Sequence, residues 1–353
     1  MPLPLGVRPI AIPDIVTQTN SDASASSPRI ARPNRTRRAR RRVSVVAGFV
    51  VFAGLVAFVR PAGPIAASPA FGSTSRAMTM AATASAPAPF PGLDSLRGFS
   101  RKLRARFLAP QRAAAVPVLR EYFGDSAATR AGVYAADDSA GAFHFITMRP
   151  FADKVKGRIG SYRIGFFPAE QRGARGGSYG NPEGFLEVTA NNADTPISEH
   201  FRLRDFLTKD QGTVWPKYLV LREPLIDKLE LVSSELQQMG VAASRLRVMS
   251  GFRTPQYNAQ GVGAGGRVQD SRHQYGDAAD VYVVNGARDW MTDLNRDGRV
   301  DTGDARLLAA AAARVEQRHP ELVGGIGVYP ATGAHGPFVH IDVRGTRARW
   351  GQL

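Results

Sequence analysis

Three stretches near the C-terminus decide the fold: SGFRTPQYN at Ser250 to Asn258, SRHQYGDAADVYV at Ser271 to Val283, and GPFVHIDVRG at Gly336 to Gly345. AADVYVV and FVHIDV are rich in β-branched and aromatic residues and read as strands. Gly276 marks a turn ahead of the first of them, which brings a side chain at 273 back toward one at 280. If FVHIDV is the neighbouring strand, His340 joins His273 and Asp280. Two imidazoles and one carboxylate with an open fourth position form a catalytic zinc set. A plainer reading stands beside this one. A single His in a β run is more often a hydrogen-bonded core group, and an Asp after two Ala also suits a turn cap.

Working outward, LRVMS at Leu246 to Ser250 reads as a further strand. Before it, LREPLIDKLELVSSELQQMG places Leu225, Leu229, Val232 and Leu236 on one helical face, and Gly240 ends the helix. FRLRDFLT is a shorter helical pattern. From Phe143 to Val188 the runs HFITMRPF, YRIGFFP and GFLEVT are β-type, separated by Gly-rich turns such as RGARGGSYGNPEG. They predict a small β subdomain over 140–212 with Tyr162, Phe166, Phe167, Tyr179 and Phe185 as its core. Residues 93–135 read as a basic helical segment, with Leu96, Phe99, Leu103, Phe107 and Leu108 near helical spacing. Its cations suit either a solvated helix face or an anionic lipid or polymer surface. The fold class is α+β: an antiparallel sheet with flanking helices over 213–353, preceded by the small β subdomain.

DLNRDGRVDTGD, Asp293 to Asp304, fits the EF-hand calcium loop and interrupts the metal-site domain. Asp293, Asn295 and Asp297 fill positions one, three and five, and Gly298 supplies the turn at six. Arg299 offers its carbonyl at seven, Asp301 stands at nine, and Asp304 replaces the usual Glu at twelve, as in the dockerin-type loops that this stretch resembles. The helix ARLLAAAAARVEQR comes directly after it. Calcium is therefore a second expected cofactor; the alternative is a solvated turn that caps the Ala-rich helix.

Composition narrows the chemistry. The chain has 353 residues, 43% of them apolar, enough for a packed core. It has no Cys, which excludes disulfides, a thiol nucleophile and Cys-ligated metals. Ten Arg against two Asp place half of the +16 net charge in the first sixty residues. Residues 1–42 read as a disordered basic tail, with eight Arg between Arg29 and Arg42. Val43 to Val59 is a seventeen-residue uncharged apolar run, the lower end of what spans a bilayer. Arg before an apolar run follows the positive-inside rule, so the tail stays cytoplasmic and the remainder is exported. The run therefore predicts a transmembrane signal anchor, and the Arg cluster is assigned to the membrane rather than to nucleic acid. Ala66-Ala67-Ser68 also suits a signal peptidase, which leaves retention or cleavage open. Residues 60–92, rich in Ala and Pro, read as a linker.

The motifs together resemble the zinc D-alanyl-D-alanine peptidases and penicillin-insensitive murein endopeptidases, whose pattern is SGYRS…SxHxxGxAxD…H. Ser271, His273, Gly276, Ala278 and Asp280 match every fixed position of the middle motif, and Arg253 matches the Arg of the first. The resemblance spans about residues 215–350. It implies a Hedgehog/DD-peptidase-like fold, with His273, Asp280 and His340 as zinc ligands. His340, Asp342, Arg344 and Trp350 look like the branch that cleaves peptide cross-links of peptidoglycan. Arg253 would then stabilise the oxyanion or grip a substrate carboxylate, or else form a salt bridge within the sheet. Many relatives carry a Glu or His two or three residues before the last ligand, where this chain has Phe338 and Pro337. Asp342 and His335 are the remaining local candidates for general base, and Asp342, the favoured one, also suits orientation of His340. The expected protein is a bacterial zinc peptidase acting on peptidoglycan peptide stems. It would be anchored in the inner membrane facing the periplasm, or released to the envelope if cleaved. The alternative is a non-catalytic peptidoglycan-binding protein that keeps fold and metal.

Overall fold

In the computed structural model, residues 93–353 are described, apart from 115, 139–140, 174–176, 244 and 264. The expectations for the tail 1–42, the apolar segment 43–59 and the linker 60–92 lie outside the described residues. Among the described residues no helix is long and apolar enough to cross a membrane.

The described chain opens with a 3-10 turn at Leu93–Leu96 and strand β1 (Ala105–Leu108). Three short helices come next, α1 (Pro110–Ala114), α2 (Pro117–Phe123) and α3 (Asp125–Thr129), then the hairpin β2 (Gly132–Asp138) and β3 (Gly141–Thr147). β3 is central, parallel to β1 and antiparallel to β2. The basic segment is thus α-helical only within 110–129, apart from the 3-10 turn at its start. Leu103, Ala105 and Phe107 are buried while Lys102, Arg104 and Arg106 are half-exposed, a period of two. Leu103 and Phe107 are four apart, so the same residues satisfy a helical and an alternating pattern, and pairing with β3 decides between them.

Beyond the hairpin lie β4 (Arg149–Pro150), β5 (Arg158–Ile159), β6 (Tyr162–Arg163), α4 (Pro168–Arg172), β7 (Gly184–Val188) and β8 (Lys217–Leu219). β4, β7 and β8 form an antiparallel sheet, and β5 and β6 a short hairpin. Phe167 and Phe185 pack with Phe151 at centroid distances of 5.7–6.3 Å. Phe166, expected in this core, is 49% exposed. Segment 140–212 does not stand as a separate subdomain, because it shares its sheet and its core with the rest of the chain. β7 pairs with β8, and one buried cluster runs from Leu103 through Phe185 and Leu229 to Ile341.

The C-terminal part contains α5 (Glu223–Gln238), β9 (Arg245–Ser250), α6 (Pro255–Ala259), β10 (Ala278–Val284), α7 (Thr302–Arg318), β11 (Gly325–Tyr329), β12 (Phe338–Asp342) and β13 (Ala348–Gly351). Its five-stranded sheet has the order β13-β11-β12-β10-β9. Four strands are antiparallel, and β13 adds a parallel edge against β11. The chain is therefore mixed α+β, with several antiparallel sheets and helices. Val281, Val283, Val339 and Ile341 are buried in the core with α5 and α7. Because side chains alternate along a strand, Asp280, Tyr282, His340 and Asp342 lie on the other face.

Helix α5 departs from the simple amphipathic pattern. Its apolar face is Leu225, Leu229, Val232 and Leu236, as the spacing predicts, yet Asp227, Lys228 and Glu230 are buried too. Each finds a partner. Asp227 accepts from the Ser100 N–H at 3.0 Å and its hydroxyl at 2.6 Å. Lys228 donates to Glu316 of α7 at 2.6 Å and to the Asp342 carbonyl at 2.7 Å. Glu230 accepts from the His200 N–H at 2.9 Å. Buried charge survives only when paired in this way.

Candidate metal centre

His273 stands in a 3-10 turn, Arg272–Tyr275, that ends at Gly276 with φ +68°. A Cβ at Gly276 would collide with the Val220 carbonyl, so this left-handed turn requires glycine on two grounds. The Arg222 N–H donates to the Gly276 carbonyl at 2.9 Å, tying the turn to the start of α5. Arg272 engages Asp277 through Nε, at 3.1 Å, and through Nη2. Its guanidinium lies 4.5 Å from the Tyr179 ring centroid and 4.7 Å from that of Tyr275. Arg272 and Asp277 occupy the variable positions of the motif, so spacing gave no signal for this buried clamp.

Asp280 of β10 is in register with His340 of β12, and the turn folds His273 over both. His273 Nε2 lies 3.2 Å from Asp280 Oδ1 and 3.2 Å from His340 Nδ1, and His340 Nδ1 lies 3.1 Å from Asp280 Oδ1. The three residues are 2%, 4% and 7% exposed. The three converge as a buried group that could hold a metal ion. Tetrahedral coordination with bonds of about 2.0–2.1 Å places ligand atoms roughly 3.3 Å apart, so the set fits one such ion.

Second partners fix each ligand. His273 Nδ1 lies 2.7 Å from the Gly251 carbonyl, which takes its proton and leaves Nε2 facing the centre. His340 Nε2 lies 3.0 Å from Asp342 Oδ2, which leaves Nδ1 facing the centre. Asp280 offers Oδ1 to the histidines and Oδ2 to Arg253. Burial alone would raise the Asp280 carboxyl, but His273, His340 and Arg253 hold it well below the usual carboxylate range. Burial pushes His273 down, keeping it neutral as a ligand must be. Burial also opposes charge on His340, but hydrogen bonds to Asp280 and Asp342 outweigh it and raise the imidazole.

The remaining expected residues fall into place around this centre. Arg253 binds Asp280 and, through Nε, the Ser250 hydroxyl at 2.9 Å. The salt bridge is therefore present, and among the described residues Nη1 has no protein partner. Asp342 is 0% exposed and accepts from His340, from the Gly325 N–H at 2.8 Å, and from Arg344 Nε at 2.9 and 3.0 Å. It stands behind the imidazole, on the ring nitrogen that points away from the centre. This geometry orients His340; it does not reach a water on the other side of the ring. His335 is half-buried, with Nδ1 2.9 Å from the Gly336 carbonyl and its ring edge-on to Phe338. Among the described residues its side chain meets these two rather than the triad. Trp350 lies 5.1 Å from His340 between ring centroids and donates to the Tyr329 hydroxyl at 2.8 Å. It rests against Gly325 and Gly327, where any Cβ would collide with the indole.

In the loop at 293–304, Asp293 accepts from the Gly298 N–H at 2.9 Å, Asn295 from that of Asp297 at 3.0 Å, and Asp297 from that of Arg299 at 2.9 Å. Gly298 has φ +84°, as the sharp turn requires. Asp301 caps α7, and Asp304 accepts from the N–H groups of Leu294 at 2.6 Å and Asp301 at 2.9 Å. Asp293 Oδ1 is buried without a partner. The short run before the loop, GARDWMT, is not a helix. Besides the triad, one further group of metal-competent side chains converges among the described residues: Glu199, His200 and Glu230. Lys102 Nζ lies 3.5 Å from Glu199 and 3.9 Å from Glu230, so an ammonium already balances that group.

Compared with known proteins, this chain matches no protein-family model, curated protein or solved structure.

Proposed function

We propose that the protein is a zinc-dependent peptidase of the bacterial cell envelope that hydrolyses peptide stems or cross-links of peptidoglycan, with a Hedgehog/DD-peptidase-like catalytic domain. The observation that carries this reading is the buried triad, three ligand atoms 3.1–3.2 Å apart, each held by its own second partner. A His/His/Asp donor set with tetrahedral spacing suits zinc. Bound there, zinc supplies a water of pKa near 7 and polarises a scissile carbonyl.

The chain's own groups serve that chemistry. Gly251 and Asp342 hold the imidazole tautomers, and Arg344 neutralises Asp342. Arg253 balances Asp280 and keeps Nη1 for charge developing on the substrate or for a substrate carboxylate. With Asp342 committed to His340 and Arg344, His335 is the remaining local candidate for general base, and to serve it must turn from Gly336 and Phe338 toward the triad. The motif resemblance supplies the substrate class, and the Arg-rich tail with its apolar run supports an inner-membrane anchor with the domain facing the periplasm.

The test is digestion of purified peptidoglycan with products read by mass spectrometry, alongside a His340→Ala variant and a chelator. Loss of cross-linked peptides or release of a terminal residue, by metal-loaded wild type alone, supports the peptidase. The alternative is a peptidoglycan-binding protein that keeps the metal. Phe338 and Pro337, where relatives carry an acid or imidazole, favour it, and it predicts binding without products. We also propose that the loop at 293–304 holds calcium, on its template match, the turn at Gly298 and the unpartnered Asp293 Oδ1. Calcium should raise the melting temperature of wild type and leave that of an Asp293→Ala variant unchanged.

A further inference from the structure

The same face of the sheet carries a second feature, away from the triad. β9 is the edge strand beyond β10. A groove of about 680 Å³ is lined by β9, by the chain at 204–217, and by Tyr282 and Asp289. Arg247, Val248 and Met249 of β9 line it and are half-exposed. An edge strand turns every second N–H and C=O away from its sheet. Among the described residues no backbone hydrogen bond engages this outer edge between Arg247 and Met249.

Three observations say what the groove accepts. Its lining carries Arg204, Lys209, Lys217 and Arg247 with Asp205 and Asp289; Arg204 is paired with Asp194 and Lys217 donates to the Gln211 carbonyl, which leaves Lys209 and the outer part of Arg247 to meet a ligand. Asp289 is already shared by Arg247 and the Tyr282 hydroxyl. Lys209 is exposed. Thr208 also lines the groove, is 5% exposed, and its hydroxyl is buried with no hydrogen-bond partner. Lastly, β9 links the groove to the metal centre. β9 ends at Ser250, which is in register with Asp280 and accepts from Arg253. At about 3.3 Å per residue, Arg247 is only about 10 Å along the strand from Ser250.

We infer that this groove is a substrate subsite in which an extended peptide bearing a carboxylate pairs with the free edge of β9. The peptide lies as an added strand, and its main chain supplies the hydrogen bonds that β9 lacks. Its carboxylate is met by Lys209 and Arg247, and Thr208 satisfies its hydroxyl on the bound chain. The inference rests on the peptidase reading, and it adds where the non-reacting part of the substrate lies and which charge it carries.

The test measures binding apart from hydrolysis. Synthetic stem peptides are titrated against the full chain carrying His340→Ala, as free carboxylates and as amides, each also with its backbone amides N-methylated one at a time. The same series is repeated with Lys209→Glu and Arg247→Glu added. The free-carboxylate peptide should bind at least tenfold more tightly than its amide. That preference should vanish in the charge-reversed variant, and at least one N-methylation should weaken binding about tenfold. Equal affinity for acid and amide, or tolerance of N-methylation at every position, overturns the subsite whether or not the wild type cleaves peptidoglycan. Absence of products with this binding pattern intact would instead count against the peptidase and leave the groove in place.

Discussion

Replacing Asp342 by Asn isolates one contact behind the candidate metal centre. In the native site Asp342 Oδ2 accepts from His340 Nε2 at 3.0 Å, which fixes the tautomer that leaves Nδ1 bare. The neighbouring carboxylate charge also supports electron density on the imidazole. Asn keeps the size and one acceptor oxygen, but Arg344 competes for that oxygen, because it lies at 2.9 and 3.0 Å from the same carboxylate. The amide nitrogen then faces the His340 N–H, two donors in contact. A hydrogen bond to a charged partner contributes about 1.5–3 kcal/mol. At about 1.4 kcal/mol per tenfold, that is a loss of roughly 10- to 100-fold in zinc affinity, the range typical of such supporting carboxylates. Competition against a chelator of known affinity measures it, and circular dichroism shows that the fold is retained. Arg344→Gln leaves the carboxylate with His340 and should cost less than Asp342→Asn. An Asp342→Asn protein that stays folded and binds zinc within twofold of wild type would refute the argument that this residue orients the ligand.

Three other perturbations address the scaffold. Gly327→Ala places a methyl group against the indole of Trp350 and should cost about 1–3 kcal/mol by overpacking, with a changed tryptophan emission; unchanged stability and emission would mean that the indole does not rest on this strand. Lys228→Met leaves Glu316 buried with only Arg349 and the Gly324 N–H, and should cost about 3 kcal/mol in urea denaturation; a loss below about 1 kcal/mol counts against a paired charge at the centre of α5. His200 is raised above its ordinary value by its hydrogen bond to Glu230 at 2.7 Å, against a smaller opposing effect of burial. Its contribution is therefore complete below the unfolded imidazole value, near pH 6.5, and is lost as pH rises through the higher folded value. His200 is partly exposed, so solvent screening limits the effect to ~0.5 kcal/mol. The stability gap between wild type and His200→Gln should be wider at pH 5.5 than at pH 9, and equal gaps would contradict it.

Local patterns made much of the C-terminal half legible. The β-branched runs around Asp280 and His340 became β10 and β12, and the turn at Gly276 returned His273 to them. The helix over Glu223–Gln238 obeyed its Leu and Val spacing. The features that stayed hidden depend on contacts between distant segments. Asp227, Lys228 and Glu230 read as a solvated face because nothing local shows that Ser100, Glu316 and His200 will cover them. Residues 103–108 fit two periods at once, and only pairing with β3 selects the strand. Arg272 and Asp277 fall at positions where the motif admits any residue, so their mutual clamp had no pattern to betray it. Asp342 was legible as a residue of interest, but its role depends on which side of His340 it occupies, and two residues of sequence separation do not give that.

The decisive experiment for a zinc peptidase is a zinc titration of the metal-free full chain, monitoring release of peptides from peptidoglycan and bound zinc in the same samples. Activity should rise in proportion to zinc up to one equivalent and then stop, and His273→Ala, Asp280→Ala and His340→Ala should remain inactive at that concentration. Cleavage that proceeds without metal, or a folded chain that binds one zinc at these residues yet releases nothing, would show the assignment to be wrong.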